Sequence, residues 1–247
     1  MAETLAEAAG ALPGDKGLLA RAIGVLTSPR ATYADVAAHP RALGILTLSI
    51  LIMATASVVF FSTEVGKQAL MDQQVRTLES FGVKIPDAAY QQMEERFSRP
   101  YTPFLTAAGQ VVFAPVIVLV ISGIALAIFN ALLGGDATFK QVFAVVAHSG
   151  VITALQQLFV LPLDYVRQSL SSPTSLAVFA PFLDDTSFMA RFLGGVDLFF
   201  LWWILNLAIG LAVLYKRRTG PVATGMAVTY LAIGLIIAAV RTALSGA

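Results

Sequence analysis

Five runs of about 20 apolar residues, at 42–61, 104–133, 139–161, 193–215 and 222–244, restrict this chain to few folds. At 1.5 Å per helical residue, such a run covers about 30 Å of hydrocarbon. In lipid the backbone must satisfy its own polar groups, so each run is predicted to be a transmembrane α-helix. Composition agrees. Of 247 residues, 57% are hydrophobic and 13% charged, against about a quarter charged in soluble domains. The predicted fold class is all-α, a polytopic membrane protein with five transmembrane helices. Residues 1–41 form an N-terminal segment ahead of a membrane domain over 42–247.

Several function classes fall away. With no cysteine and only two histidines, disulfide scaffolds and thiol catalysis are excluded, and no metal is expected. No glycine-rich phosphate loop occurs, so no cofactor is expected. The runs contain no Ser–Lys, paired-Asp or HExxH arrangement, which predicts no catalytic residues and a protein that is not an enzyme. Sixteen Lys and Arg against fifteen Asp and Glu give a net charge of +1 without a long basic block, so nucleic acid is not an expected partner. Glu3, Glu7 and Asp15 precede any apolar stretch, and no cleaved signal peptide is expected.

The connections carry their own patterns. The second run is long for a perpendicular crossing and contains Pro115, which predicts a kink, a tilt or projecting first turns. The third is expected to end at Pro162, and the fifth starts just after Gly220-Pro221. Between runs one and two, Val65, Leu70, Val75, Leu78, Ile85, Tyr90, Met93 and Phe97 are spaced as on two short helices, so 64–100 reads as an extramembrane helical hairpin. The polar connection 164–191 has enough Leu and Phe to lie against the membrane surface.

Ahead of the first run, Leu18, Leu19, Ala22, Ile23 and Leu26 recur at helical spacing opposite Lys16 and Arg21. A second segment opens with Ser28-Pro29, a cap residue and a first-turn proline, and ends at His39-Pro40. Both are predicted to be interfacial amphipathic helices. Five crossings place the termini on opposite sides. Basic residues in short flanks favour a cytoplasmic N-terminus and a C-terminus across the membrane. The cations on that side, Lys16, Arg21, Arg30, Arg41, Lys216, Arg217 and Arg218, are candidate contacts with anionic lipid or a partner.

Polar residues inside the runs are the remaining functional signal. An ionisable group at bilayer depth costs about 2.5–3.5 kcal/mol to insert, so it needs a partner, a cavity or a task. Asp197 is placed one turn inside the fourth run, where first-turn amides stabilise its charge. His148 falls near mid-depth of the third run and reads first as a pin between helices, second as a pH-sensitive or transport residue. Asn130, Gln110, Gln156, Gln157 and Asn206 read as interhelical hydrogen-bonding groups. Together His148, Gln156, Asn130, Asp197 and Asn206 form the candidate intramembrane polar site. Asp197 and Asn206 lie on opposite sides of one helix, which argues against a narrow pore built from it. Small residues at Gly123, Ala127 and Ala131, and at Gly234 and Ala238, allow close helix packing within one chain or between copies.

Three segments resemble a known family. Ser28-Pro-Arg-Ala-Thr-Tyr-Ala-Asp-Val, the turn Gly134-Gly-Asp-Ala-Thr-Phe-Lys-Gln-Val leading to His148, and Val196-Asp-Leu-Phe-Phe-Leu-Trp202 running to Gly210-Leu211 are similar to the bacterial branch of the Yip family, the Ypt-interacting-protein domain. The insert 64–100 exceeds its shared core. The resemblance implies a five-span fold, no catalytic residue and a bacterial inner-membrane location. Eukaryotic members resemble adaptors that engage small GTPases, a role not carried over to this chain. The function expected is a non-enzymatic membrane scaffold or adaptor organising lipids or partner proteins. Its expected partners are the lipid bilayer and either another protein or further copies of itself. The alternative is a small transporter or permease with a polar midplane site around His148.

Overall fold

The computed structural model describes residues 16–244, so the N-terminal residues 1–15, with the signal-peptide expectation, and 245–247 lie outside the described residues. Ten α-helices account for most of the rest. They are α1 Leu18–Thr27, α2 Pro29–Ala38, α3 Leu43–Phe61, α4 Glu64–Ser80, α5 Asp87–Ser98, α6 Thr102–Leu126, α7 Phe139–Arg167, α8 Phe188–Gly194, α9 Leu198–Leu214 and α10 Thr219–Leu244. No strand occurs among the described residues, only an isolated bridge between Ser175 and Asp197.

Four helices are long and apolar enough to cross a membrane: α3, α6 with its π-helical extension Ala127–Leu132, α7 and α10. The fourth predicted run does not form one helix of that length. Its helix α9 has 17 residues, rising about 26 Å at 1.5 Å per residue. The reason is local. Gly194-Gly195 ends α8, and Asp197 is not one turn inside a helix but the N-cap of α9, its side chain accepting from the Phe199 and Phe200 amides. The third run differs in the other direction, because α7 passes through Pro162 and ends at Arg167. Its start is fixed by a capping box in which Thr138 and Gln141 bond reciprocally. Pro115 likewise sits inside α6 without ending it.

Helix α3 packs on α6 and α7, α9 packs between α7 and α10, and α1–α2 lie across α7 and α9. The tightest packing is there: Val25, Tyr33, Val36, Val142, Val145, Leu207 and Leu211 are buried to 2% exposure or less. Gly210 makes this approach feasible, since a Cβ on it would sit 2.6 Å from Val145 and 3.0 Å from the Tyr33 ring. The turns after α6 and after α9 join the same face. There the Tyr215 and Phe129 rings stack at 4.7 Å, and Arg217 donates to the Leu133 carbonyl at 2.5 Å. The opposite face gathers the α4–α5 pair, the segment between α7 and α9, and the end of α10, where Arg241 lies over the Phe81 ring.

In α1 the placement of Arg21 differs from the sequence reading. Arg21 points into the protein at 3% exposure, while Leu19 and Ile23 are exposed at 67% and 61%. Of the apolar residues of α1, Ala22 and Leu26 pack against the core while Leu19 and Ile23 face outward, and Arg21 faces the bundle. Ser28 occupies the cap position of α2 with Pro29 behind it, but its side chain makes no capping bond.

Candidate functional site

The polar residues fall into three separate clusters, each held by different helices. The first joins α1 and α2 to the bundle. Arg21 Nε meets Asp35 Oδ2 at 2.7 Å with both side chains buried, and Arg21 Nη1 donates to the His39 carbonyl at 3.1 Å. His39 Nδ1 approaches Asp35 Oδ1 at 3.5 Å from the rim. From α9, Asn206 accepts from the Tyr33 hydroxyl at 2.5 Å and donates to the Val25 carbonyl at 2.9 Å. One amide thus ties both short helices to α9. Burial pushes the Tyr33 phenol well above its ordinary pKa, so it stays a donor. Tyr33→Phe leaves the Asn206 carbonyl oxygen unpaired, and a loss of about 1–2 kcal/mol is expected in chemical unfolding; an unchanged midpoint would mean that this bond carries no stability.

His148 lies beside this cluster, fully buried and within electrostatic reach of Arg21 and Asp35. It does not pin two helices. Its Nδ1 is 2.7 Å from the Ala144 carbonyl of its own helix, and Nε2 is buried without a hydrogen-bond partner. A neutral ring protonated on Nδ1 fits this environment, leaving only an acceptor lone pair unsatisfied.

The second cluster is a clasp between three membrane helices. Gln157 Nε2 of α7 donates to Ser57 Oγ at 2.6 Å and to the Met53 carbonyl at 3.0 Å, while Gln110 of α6 donates to Ser57 at 2.8 Å. These glutamines hold α3, α6 and α7 together, the interhelical role expected of them. The third cluster surrounds Asp197. Its carboxylate accepts from Ser172 at 2.5 Å, Thr174 at 2.6 Å, the two first-turn amides and Gln156 at 3.1 Å. The Asp197 amide donates to the Tyr230 hydroxyl at 3.1 Å, which in turn donates to the Gly195 carbonyl.

Of the five candidate polar residues, the structure brings Gln156 and Asp197 together and sets the others apart. Asn130 donates to the Ala137 carbonyl in the turn after α6, Asn206 belongs to the α1–α2 joint, and His148 lies alongside that joint. Among the candidate surface cations, Arg21 is a buried ion-pair member, a placement unsuited to surface contact. Arg30, Arg41, Lys216, Arg217 and Arg218 are exposed on the α1–α2 face, and Lys16 Nζ lies 3.5 Å from Thr32 Oγ1. The sequence reading missed Tyr33, Asp35 and Ser172. Only the position of Asp35 within the family-like segment marked it, because its partner lies 14 residues away on another helix.

An all-helical chain with four helices of spanning length and polar groups joined across them defines an integral membrane protein of the polytopic helical class. The sequence matches the family model of the Yip1 domain over residues 23–241, and the chain belongs to that family. No curated protein and no solved structure matches it.

Proposed function

We propose that the chain is a non-enzymatic membrane scaffold or adaptor, with α9 as a fifth crossing and the α1–α2 face in the cytoplasm of a bacterial cell. One observation carries this reading: α1 and α2 are fixed to the bundle through Arg21–Asp35 and Asn206. That joint holds Arg30 and Arg41 on the same face as Lys216, Arg217 and Arg218. A preformed basic surface suits an anionic membrane or an acidic partner, because it meets its target without an ordering cost. Gln110, Gln157, Asn206 and Asp197 are engaged in structural hydrogen bonds, which supports a scaffold.

The test is co-isolation of the full chain in lipid nanodiscs, followed by mass spectrometry. Charge reversal of Arg30, Arg41, Lys216, Arg217 and Arg218 to Glu is expected to lower the retained protein or anionic lipid by about tenfold. Equal retention rejects the role of this surface. A permease is the second reading, favoured by the unpartnered His148 Nε2. It predicts that His148→Ala abolishes a solute flux in proteoliposomes while assembly persists.

A further inference from the structure

The face opposite α1–α2 contains a feature the scaffold reading does not use. Helix α7 continues about 16 Å past Gln156 at 1.5 Å per residue, and the segment after it folds back to reach Asp197 through Ser172 and Thr174. Between this overhang, α4, α8 and the end of α10 lies an open cavity of 830 Å³. Four arginines line it, Arg76, Arg167, Arg191 and Arg241, against two acids, Glu79 and Asp185. Among the described residues, none of these guanidinium groups is ion-paired with a carboxylate.

Two of the four are in an unusual state. Arg191 Nη1 and Arg241 Nε are sealed from solvent without a hydrogen-bond partner. The Arg241 guanidinium is held 5.0 Å over the Phe81 ring, and Arg167 donates to Ser171. A guanidinium is charged at every accessible pH, and with one nitrogen of each occluded and unpaired, the parts of Arg191 and Arg241 that line the cavity are left to meet an acceptor there. Its planar fork matches a phosphate oxygen pair better than a single carbonyl. The cavity is far larger than one ion and within the ordinary range for small-molecule sites. Phe179 and Phe182, chain neighbours of the lining residues Val178, Ala180, Pro181 and Leu183, are exposed at 70% and 83%.

We infer that this cavity binds a phosphate-bearing anion, with Arg191 and Arg241 as its inner contacts and Arg76 and Arg167 at its mouth. A phospholipid headgroup, with its tails beside Phe179 and Phe182, and a soluble phosphate share this chemistry. The site lies on the face opposite the basic surface proposed above, so it stands whether or not that surface recruits a partner.

The experiment uses the full chain in nanodiscs of phosphatidylcholine with a minority of phosphatidylglycerol, and native mass spectrometry of the lipids that stay bound. One phosphatidylglycerol per chain is expected to persist. Its retention should fall about tenfold in the double variant Arg191→Gln/Arg241→Gln and hold in Lys140→Gln, an exposed position at the start of α7 on the other face. In a second arm, inorganic phosphate is added to nanodiscs of phosphatidylcholine alone. A rise in melting temperature over chloride at equal ionic strength, absent in the Arg191/Arg241 variant, with no lipid enrichment, assigns the site to a soluble phosphate. The inference is overturned if neither probe binds, or if both bind the double variant as they bind the wild type. Should the Gln variant fail to assemble, Arg191→Lys/Arg241→Lys keeps the charge and removes the fork. Partial loss of binding is then expected, and undiminished binding overturns the inference.

Discussion

Asp35→Ala is expected to lower the unfolding free energy by about 3–5 kcal/mol, the cost of stranding a buried charge whose partner has been removed. In the native protein Arg21 Nε lies 2.7 Å from Asp35 with both side chains almost fully buried. Alanine at 35 removes the carboxylate from the Arg21 guanidinium while the joint still holds that charge inside the protein, where it also donates to the His39 carbonyl. Because α1 and α2 pack on α7 and α9, the damage should spread beyond the two short helices. The double variant Arg21→Met/Asp35→Leu removes both charges and keeps their volume, so it should recover most of the loss. Thermal unfolding of the detergent-solubilised chain reads both. A single variant within about 1 kcal/mol of wild type would show that the pair behaves as a surface salt bridge and that α1–α2 is loosely attached.

Asp197→Ala is the second large effect, about 3 kcal/mol, because cap loss and stranded donors act together. The carboxylate accepts from two backbone amides, two hydroxyls and one amide side chain. Losing it frees the start of α9 and releases the segment around Ser172 and Thr174. The expected signature is a lower melting temperature together with faster proteolytic nicking within 168–187. Asp197→Asn retains an acceptor and should recover part of the loss. Equal nicking in wild type and Asp197→Ala would remove Asp197 as the anchor of this segment.

These two sites show what the sequence displays and what it hides. Runs one, two, three and five are visible because bilayer thickness imposes a length that composition reveals directly. The fourth run reads too long, since Gly194 to Asp197 is apolar enough to pass as helix although Gly-Gly followed by Asp is a break-and-cap signal. Arg21 reads as a surface cation for a physical reason. An amphipathic pattern locates the charged side but not the solvent, and here the charge is met inside by Asp35 while Leu19 and Ile23 face out. Ion pairing across 14 residues and two helices leaves no periodic trace. His148 is legible as a buried residue because of its depth in the run. Its bond to Ala144 and its empty Nε2 depend on rotamer and neighbours that spacing does not encode. The arginine-lined cavity is the least legible feature, since α4, the end of α7, α8 and the end of α10 each contribute one arginine.

The proposed scaffold has two opposite faces joined by five crossings, and labelling from each side of the membrane tests that proposal most directly. The chain has no cysteine, so single cysteines introduce no competing background. Arg30→Cys and Lys216→Cys should react with an impermeant maleimide from one side only, and Glu79→Cys and Asp185→Cys from the other side only. Reaction of Lys216→Cys from the same side as Glu79→Cys would show that α9 does not cross, and would contradict both the two-faced architecture and the shared basic surface built on it.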